Sequence, residues 1–203
     1  MAAPETRAIV VVPANEVSWE DLQAVFGERG TPHWCQCQWF KFRNAEFDAM
    51  DVPERQERFA EQTGCGDPAA PSTSGLVALV DGEPAGWCAV EPRTAYPRLR
   101  TSRLVWAGRD EDRDDGSVWS VTCFVTRKGY RRLGVGTALA QAAVGFARDR
   151  GAKAVEGYPL LPRADGRVAT GDLYVGTVGM FESAGFTEVS RPTERRAVMR
   201  IAT

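Results

Sequence analysis

The chain has little of several things. No apolar run approaches the roughly 18 residues that a membrane-spanning helix requires, and residues 1–5 lack the apolar core of a secretory leader. These absences argue against insertion and export, and they predict a cytoplasmic address. Charge of one sign is also missing: 25 Lys and Arg face 27 Asp and Glu, a net of −2, so nothing drives the chain toward nucleic acid or an anionic membrane. There is one histidine, and the five cysteines are an odd number that cannot all pair. Cys88 and Cys123 lie inside apolar, strand-like runs, where a reduced cysteine acts as a small hydrophobe. Neither an internal repeat nor an interdomain linker interrupts the 203 residues. With 43% hydrophobic content, the chain can bury one core as a single domain over 1–203.

What is present reads as alternating strands and helices. Residues 6–12 are β-branched enough for a first strand, stopped at Pro13. Ser18 is a helix N-cap, with Glu20 and Asp21 in the first turn, Leu22, Val25 and Phe26 at helical spacing, and Gly27 and Gly30 as the stop. A second helix over 53–62 follows Asp51 with Pro53 in its first turn. Asp81-Gly82 between two apolar runs predicts a hairpin of 74–80 with 83–90. Residues 92–116 are irregular and end in a charged run that reads as a solvated loop in preference to a cation-binding surface, with Tyr96 and Trp106 placed over a substrate site. A central strand over 117–126 precedes an amphipathic helix in which Val135, Ala138, Leu139, Ala142 and Phe146 form one face. A fifth strand over 153–158, a polar loop over 159–171, a short helix over 173–184 and a final hairpin of 186–190 with 195–201 complete the chain.

Residues 31–40, TPHWCQCQWF, gather the histidine, two tryptophans and a Cys-x-Cys. A metal site of His33, Cys35 and Cys37 is disfavoured, because structural zinc takes four ligands and no second ligand pair stands out downstream. Two readings stay open for the segment from Trp34 to Trp39: an aromatic wall for a bound substrate, or a plug of the core under the N-terminal helices.

The densest signal is Arg131-Arg132-Leu133-Gly134-Val135-Gly136-Thr137, between a strand and a helix. Glycines there let a ligand approach the backbone, and the unpaired N–H groups of a helix start favour a pyrophosphate. Two nucleotide motifs are left incomplete. The dinucleotide fingerprint wants glycine where Leu139 stands, and the ATP loop wants Gly-Lys-Ser/Thr.

Cys123-Phe124-Val125, then Arg131-x-x-Gly134-x-Gly136, the following helix, and Met180-Phe181-Glu182-Ser183-Ala184-Gly185-Phe186 together resemble the GNAT superfamily of N-acetyltransferases, over about residues 75–190. The resemblance implies a single-domain α/β fold with a mixed, mostly antiparallel central sheet and helices on both faces. Residues 1–70 would form the N-terminal part and 75–203 the core. It implies acetyl-CoA or another acyl-CoA as cosubstrate, no metal, a small-molecule amine as acceptor, and a monomer or homodimer. Residues 131–137 match the loop that holds the pyrophosphate: Arg131, Arg132, Leu133, Gly134, Val135, Gly136 and Thr137. Phe124 and Val125 match the strand whose backbone pairs with the pantetheine, and Phe181 joins the cofactor-binding set.

Two positions depart from the family pattern. Many members place a tyrosine acid where Phe181 stands, and some place a glutamate base near the position of Ser120. Tyr174, seven residues before Phe181, is the substitute acid, with water or no acid as the other options since a thiolate leaves readily near neutral pH. Glu156 on the fifth strand is the candidate base, and a solvated or salt-bridged Glu156 is the competing reading. Cys123 has no histidine near it in sequence and reads as packing rather than as a nucleophile. The expected activity is acyl transfer to a primary amine. The alternative is a non-catalytic acyl-CoA-binding or ligand-sequestering module.

Overall fold

The computed structural model describes residues 7–162 and 170–203. Seven strands make one sheet: β1 (Ile9–Pro13), β2 (Gly75–Val80), β3 (Glu83–Pro92), β4 (Val118–Thr126), β5 (Ala154–Gly157), β6 (Thr187–Thr193) and β7 (Arg196–Ala202). Their order is β1-β2-β3-β4-β5-β7-β6, antiparallel throughout except for the parallel pair β4 and β5. Between them run α1 (Trp19–Phe26), α2 (Gly30–Cys35), α3 (Asn44–Ala49), α4 (Val52–Thr63), α5 (Pro97–Arg100), α6 (Val135–Arg148) and α7 (Val178–Ser183). Residue 6, the expected start of the first strand, and most of the expected loop over 159–171 lie outside the described residues.

Local chemistry sets several of these boundaries. The Ser18 hydroxyl accepts from the Asp21 N–H and caps α1, and the Asp51 carboxylate does the same for the Glu54 N–H at α4, with proline in the first turn. At the β2–β3 turn both Asp81 (φ +52°) and Gly82 (φ +86°) are left-handed, the conformation a two-residue type I′ hairpin requires.

One face of the sheet is covered by α6, whose Val135, Leu139, Ala143 and Phe146 pack on Leu76, Cys88, Val121 and Val155. The opposite face carries α1 and α4 over β2 to β4, around Trp87, Phe26 and Phe59.

The segment after β3 differs from its sequence reading. It contains α5, and Tyr96, Leu99, Val105 and Trp106 are buried against Tyr158 and Val198, covering the β5 and β7 end of that second face. Tyr96 and Trp106 are therefore buried core residues. The charged run is not wholly solvated either, because Arg109 turns inward to Glu156 and Glu111 bridges Arg109 and Arg200.

The expected helix over 173–184 is broken. A 3₁₀ turn, Thr170–Val175, ends at Gly176 (φ +80°), and α7 begins afresh with the Thr177 hydroxyl accepting from the Met180 N–H. A left-handed glycine followed by a new N-cap stops the helical path. Tyr174 and Phe181 consequently do not share one helix face.

Candidate functional site

Two irregularities in β4 prepare the site. Its pairing with β5 runs only from Val118↔Ala154 to Val121↔Gly157, whereas β4 itself continues to Thr126. The last residues of β4 thus have no β5 partner on that side. On the β3 side, Val121 pairs with Val90 and Cys123 with Ala89, so Thr122 is an extra residue, a β-bulge in the middle of the strand. Bulge and divergence together open the sheet beside Cys123.

A cavity of about 900 Å³ lies at this opening. Its floor is the β4 run from Cys123 to Thr126. At one end it reaches the turn before α6, with Arg131, Arg132, Gly134, Val135, Gly136 and Thr137 on its wall, and Met180 from α7 beside them. At the other end stand Trp34, Cys35, Cys37, Trp39 and Phe40, with Leu173 and Tyr174.

The turn is shaped for an anion. Arg132 (φ +63°) and Gly134 (φ +86°) are both left-handed, and Gly134 is the N-cap of the 14-residue α6. The Ala138 N–H donates to the Gly134 carbonyl, which leaves the N–H groups of Val135, Gly136 and Thr137 without an intrahelical acceptor at the positive end of the helix dipole. A β-carbon on Gly136 would come within 2.9 Å of the Met180 sulfur, so glycine keeps this part of the wall open. Backbone donors, two exposed arginines and a glycine-cleared approach fit a pyrophosphate.

The aromatic end is held from behind. Gln36 (φ +46°) and Cys37 (φ +58°) are consecutive left-handed residues. The buried Gln36 amide donates to the His33 carbonyl at 2.9 Å and pairs with Gln23 of α1, while buried Gln38 pairs with Gln62 of α4 at 3.1 Å. These amides anchor the segment in the core and turn the alternate residues Cys37 and Trp39 to the cavity. Residues 31–40 thus plug the core and also line the cavity. His33 is engaged with the Gly27 carbonyl, and no group of three potential metal ligands exists among the described residues.

The structure places the other expected site residues as follows. Phe124 and Val125 line the cavity, as does Tyr174, whose ring centroid lies 6.3 Å from that of Phe40. Leu133 is exposed at the tip of the turn and does not line the cavity. Phe181 is also off the cavity: it is fully buried, edge-on to Phe124 and Phe186.

Glu156 is fully buried outside the cavity as well. It takes an ion pair from Arg109, a pair of hydrogen bonds from Arg200 (Nε at 3.0 Å), a weaker contact from Arg93 at 3.4 Å, and a hydrogen bond from the Tyr158 hydroxyl at 2.8 Å. Ser120 joins the same cluster through the Tyr158 hydroxyl at 2.9 Å. Carboxylate and serine are parts of a buried ionic network under the sheet, and they do not meet the β4 opening.

The sequence reading missed several lining residues, among them Phe26, Tyr130, Thr177 and Met180. Tyr130 adjoins the Arg131 motif and Met180 opens the second motif, which was the available signal. Phe26 reaches the cavity only through the packing of α1.

Two thiols near the opening, Cys35 and Cys123, are shifted toward the protonated form. Burial pushes Cys35 up to about 11, and for Cys123 a hydrogen bond with Cys37, with burial second, holds the thiol well above its ordinary value. Neither is a nucleophile near neutral pH.

Among solved structures, the fold is similar to the PaiA N-acetyltransferase from Thermoplasma acidophilum in complex with coenzyme A, with a TM-score of 0.52 and 11% identity over 97% of this chain and 99% of that one. It is also similar to a GNAT-family acetyltransferase from Bacillus anthracis, at 0.52 and 8% over 98% and 96%. A third is AAC(6')-Ib in complex with ribostamycin and coenzyme A, at 0.51 and 17% over 96% and 93%. Among curated proteins, none matches the sequence. The sequence itself matches the acetyltransferase (GNAT) family over residues 33–158, more than half of its length, and that stretch holds the β4 bulge, the turn before α6 and the wall from Trp34 to Phe40. The chain belongs to the acetyltransferase (GNAT) family.

Proposed function

We propose that this acetyltransferase moves the acyl group of an acyl-CoA, acetyl-CoA in the first instance, onto the primary amine of a small molecule. One observation carries the reading: a single cavity runs from the anion-shaped start of α6, across the open part of β4, to an aromatic wall. Acetyl-CoA supplies a thioester whose carbonyl carbon is open to attack by a neutral amine.

The residues divide the work by position. Arg131 and Arg132, with the N–H groups of Val135, Gly136 and Thr137, bind the pyrophosphate. The edge of β4 at Phe124 and Val125, free of β5, is available to amide groups of the pantetheine arm. The end of β4 that lines the cavity, from Cys123 to Val125, is the candidate source of a backbone N–H for the oxygen on which negative charge develops, a preorganised donor in a largely apolar site. The ammonium form of the acceptor loses one proton to solvent. Its nitrogen then forms the C–N bond as the C–S bond breaks, and its second proton ends on the departing sulfur. Tyr174, on the cavity wall, is the candidate relay for that last proton, giving its hydroxyl proton to the sulfur and taking the nitrogen's in return. Glu156 is assigned a structural role here, since its carboxylate is held by arginines away from the cavity. A reducing, cytoplasmic compartment suits the five free thiols.

The test combines binding and turnover. Acetyl-CoA should raise Tm, and incubation with a panel of primary amines should release free thiol. Gly136→Ile, whose side chain enlarges into the cavity against Met180, should weaken CoA at least about tenfold, or roughly 1.4 kcal/mol, with the fold retained. An unchanged CoA affinity in that variant, or no thermal protection of the wild type by CoA, would remove the cradle assignment. CoA protection without thiol release from any amine would remove the transfer.

A further inference from the structure

The aromatic end of the cavity carries information about the acceptor that the acyl-transfer reading does not contain. Among the described residues, the charged ones on the cavity wall are Arg131 and Arg132, both at the α6 turn. The other end presents rings, thiols and Leu173.

Cations already occupy the tryptophan rings of that wall. The Arg98 guanidinium lies 3.7 Å from the Trp39 ring centroid, and the Arg55 guanidinium 4.4 Å from that of Trp34. Both arginines are fixed. Arg98 donates to the Trp39 carbonyl at 2.5 Å and to the Asn44 side chain, and Arg55 to the carbonyls of Trp34 at 2.8 Å and Phe47 at 2.9 Å.

Neither arginine lines the cavity, so each guanidinium stacks behind its ring as seen from the cavity, where it adds positive potential and weakens the ring's pull on an ammonium. A polycation entering this end would meet like charge, and its hydrated groups would be stripped of water against apolar walls. A flat apolar body gains instead by stacking, at offset or edge-on geometry, on rings held in place.

Resting on the acyl-transfer reading, we infer that the acceptor is a monoamine carried on an aromatic body, an arylalkylamine, and that polyamines and aminoglycosides are poor substrates. The wall at Trp34, Trp39, Phe40 and Tyr174 takes the ring, and the alkyl arm carries the nitrogen toward the opening at Cys123.

The experiment uses the full chain saturated with CoA or acetyl-CoA. Binding of phenethylamine, spermidine and kanamycin is followed by tryptophan fluorescence in the CoA complex and by calorimetry, and transfer by thiol release with acetyl-CoA. The expected result is saturable binding of phenethylamine and a kcat/KM at least about tenfold above that for the other two. Trp39→Leu should raise the KM for phenethylamine roughly tenfold with kcat within about threefold, as for lost stacking with the chemistry intact. Arg98→Met should narrow the preference over spermidine. Tighter binding or faster turnover of spermidine or kanamycin overturns the inference, as does the failure of phenethylamine to bind the CoA complex. Phenethylamine that binds in preference to the others but releases no thiol supports the aromatic subsite and sinks the transfer reading, so the two failures are distinguishable.

Discussion

The Phe181 ring occupies the space that a side chain on Gly157 would need: a β-carbon added there would come within 2.2 Å of the ring's Cζ. Phe124 and Phe186 close on the same ring at centroid distances of 5.8 and 5.0 Å. The para position that would carry a tyrosine hydroxyl therefore points at the β5 backbone, and phenylalanine is the residue that fits. Gly157→Ala should cost about 1–3 kcal/mol through overpacking. Phe181→Tyr should cost about 2–4 kcal/mol, since it adds both bulk and a buried hydroxyl with no space for a partner. Denaturant midpoints measure both. A Phe181→Tyr variant that is as stable as wild type and more active would show that the ring reaches the reacting sulfur after all.

Glu156 draws three arginines from three separate parts of the chain, and two of them, Arg93 and Arg109, are almost wholly buried. Replacing its carboxylate removes the counter-charge of Arg93 and leaves Arg109 with the more exposed Glu111 alone. Removing one partner of a buried ion pair typically costs about 3–5 kcal/mol, so Glu156→Gln should lower Tm by roughly 6–20 °C for a chain of this size. The catalytic prediction differs in kind. With protein held well below its Tm, the pH profile of kcat/KM should keep its wild-type shape, because the carboxylate does not face the cavity. Loss of the alkaline rise in a still-folded Glu156→Gln protein would return Glu156 to the role of base.

These contrasts show what was readable before folding. The type I′ turn at Asp81-Gly82, the caps at Ser18 and Asp51, and the glycine-rich start of α6 are local: each depends on the conformational or hydrogen-bonding habit of residues adjacent in sequence, so short windows reveal them. Glu156 is the opposite case. Its arginine partners stand 63, 47 and 44 residues away, and alternation along β5 gives no sign that the face it occupies is roofed by the 93–113 segment. The same limit applies to Phe181, whose surroundings depend on a glycine 24 residues earlier in another strand. At Tyr174 the signal was present but outweighed: Gly176 and Thr177 mark a stop and a new cap, and helical spacing alone carried the pattern through them. The wall residues were visible as an unusual cluster of aromatics. That Gln36 and Gln38 face inward while Cys37 and Trp39 face the cavity follows from two left-handed residues that no local rule requires.

The buried thiols make the fold sensitive to alkali in a direction that can be worked out. Burial raises Cys35 to about 11 and lifts Cys65 and Cys88, while Cys123 is raised by its hydrogen bond with Cys37 and by burial. In the unfolded chain a cysteine titrates near 8.5. Between that value and the folded one, the unfolded state has released a proton that the native state retains, so the slope of unfolding free energy with pH is negative. Stability contributed by the protonated thiols is complete below about pH 8 and declines as pH rises toward 11. Tm measured from pH 8 to 11 under reducing conditions should fall, and Cys35→Ser should make the fall shallower by removing one of the titrating groups. The same protonation predicts chemistry. Iodoacetamide at pH 7.5 should label Cys35 and Cys123 far more slowly in the native protein than in urea, and intact-mass measurement after acetyl-CoA addition should show no acyl-enzyme. Rapid native labelling of Cys123, or a stable mass increase of one acetyl group on it, would turn that thiol from a lining residue into a nucleophile and replace direct amine attack with a two-step transfer.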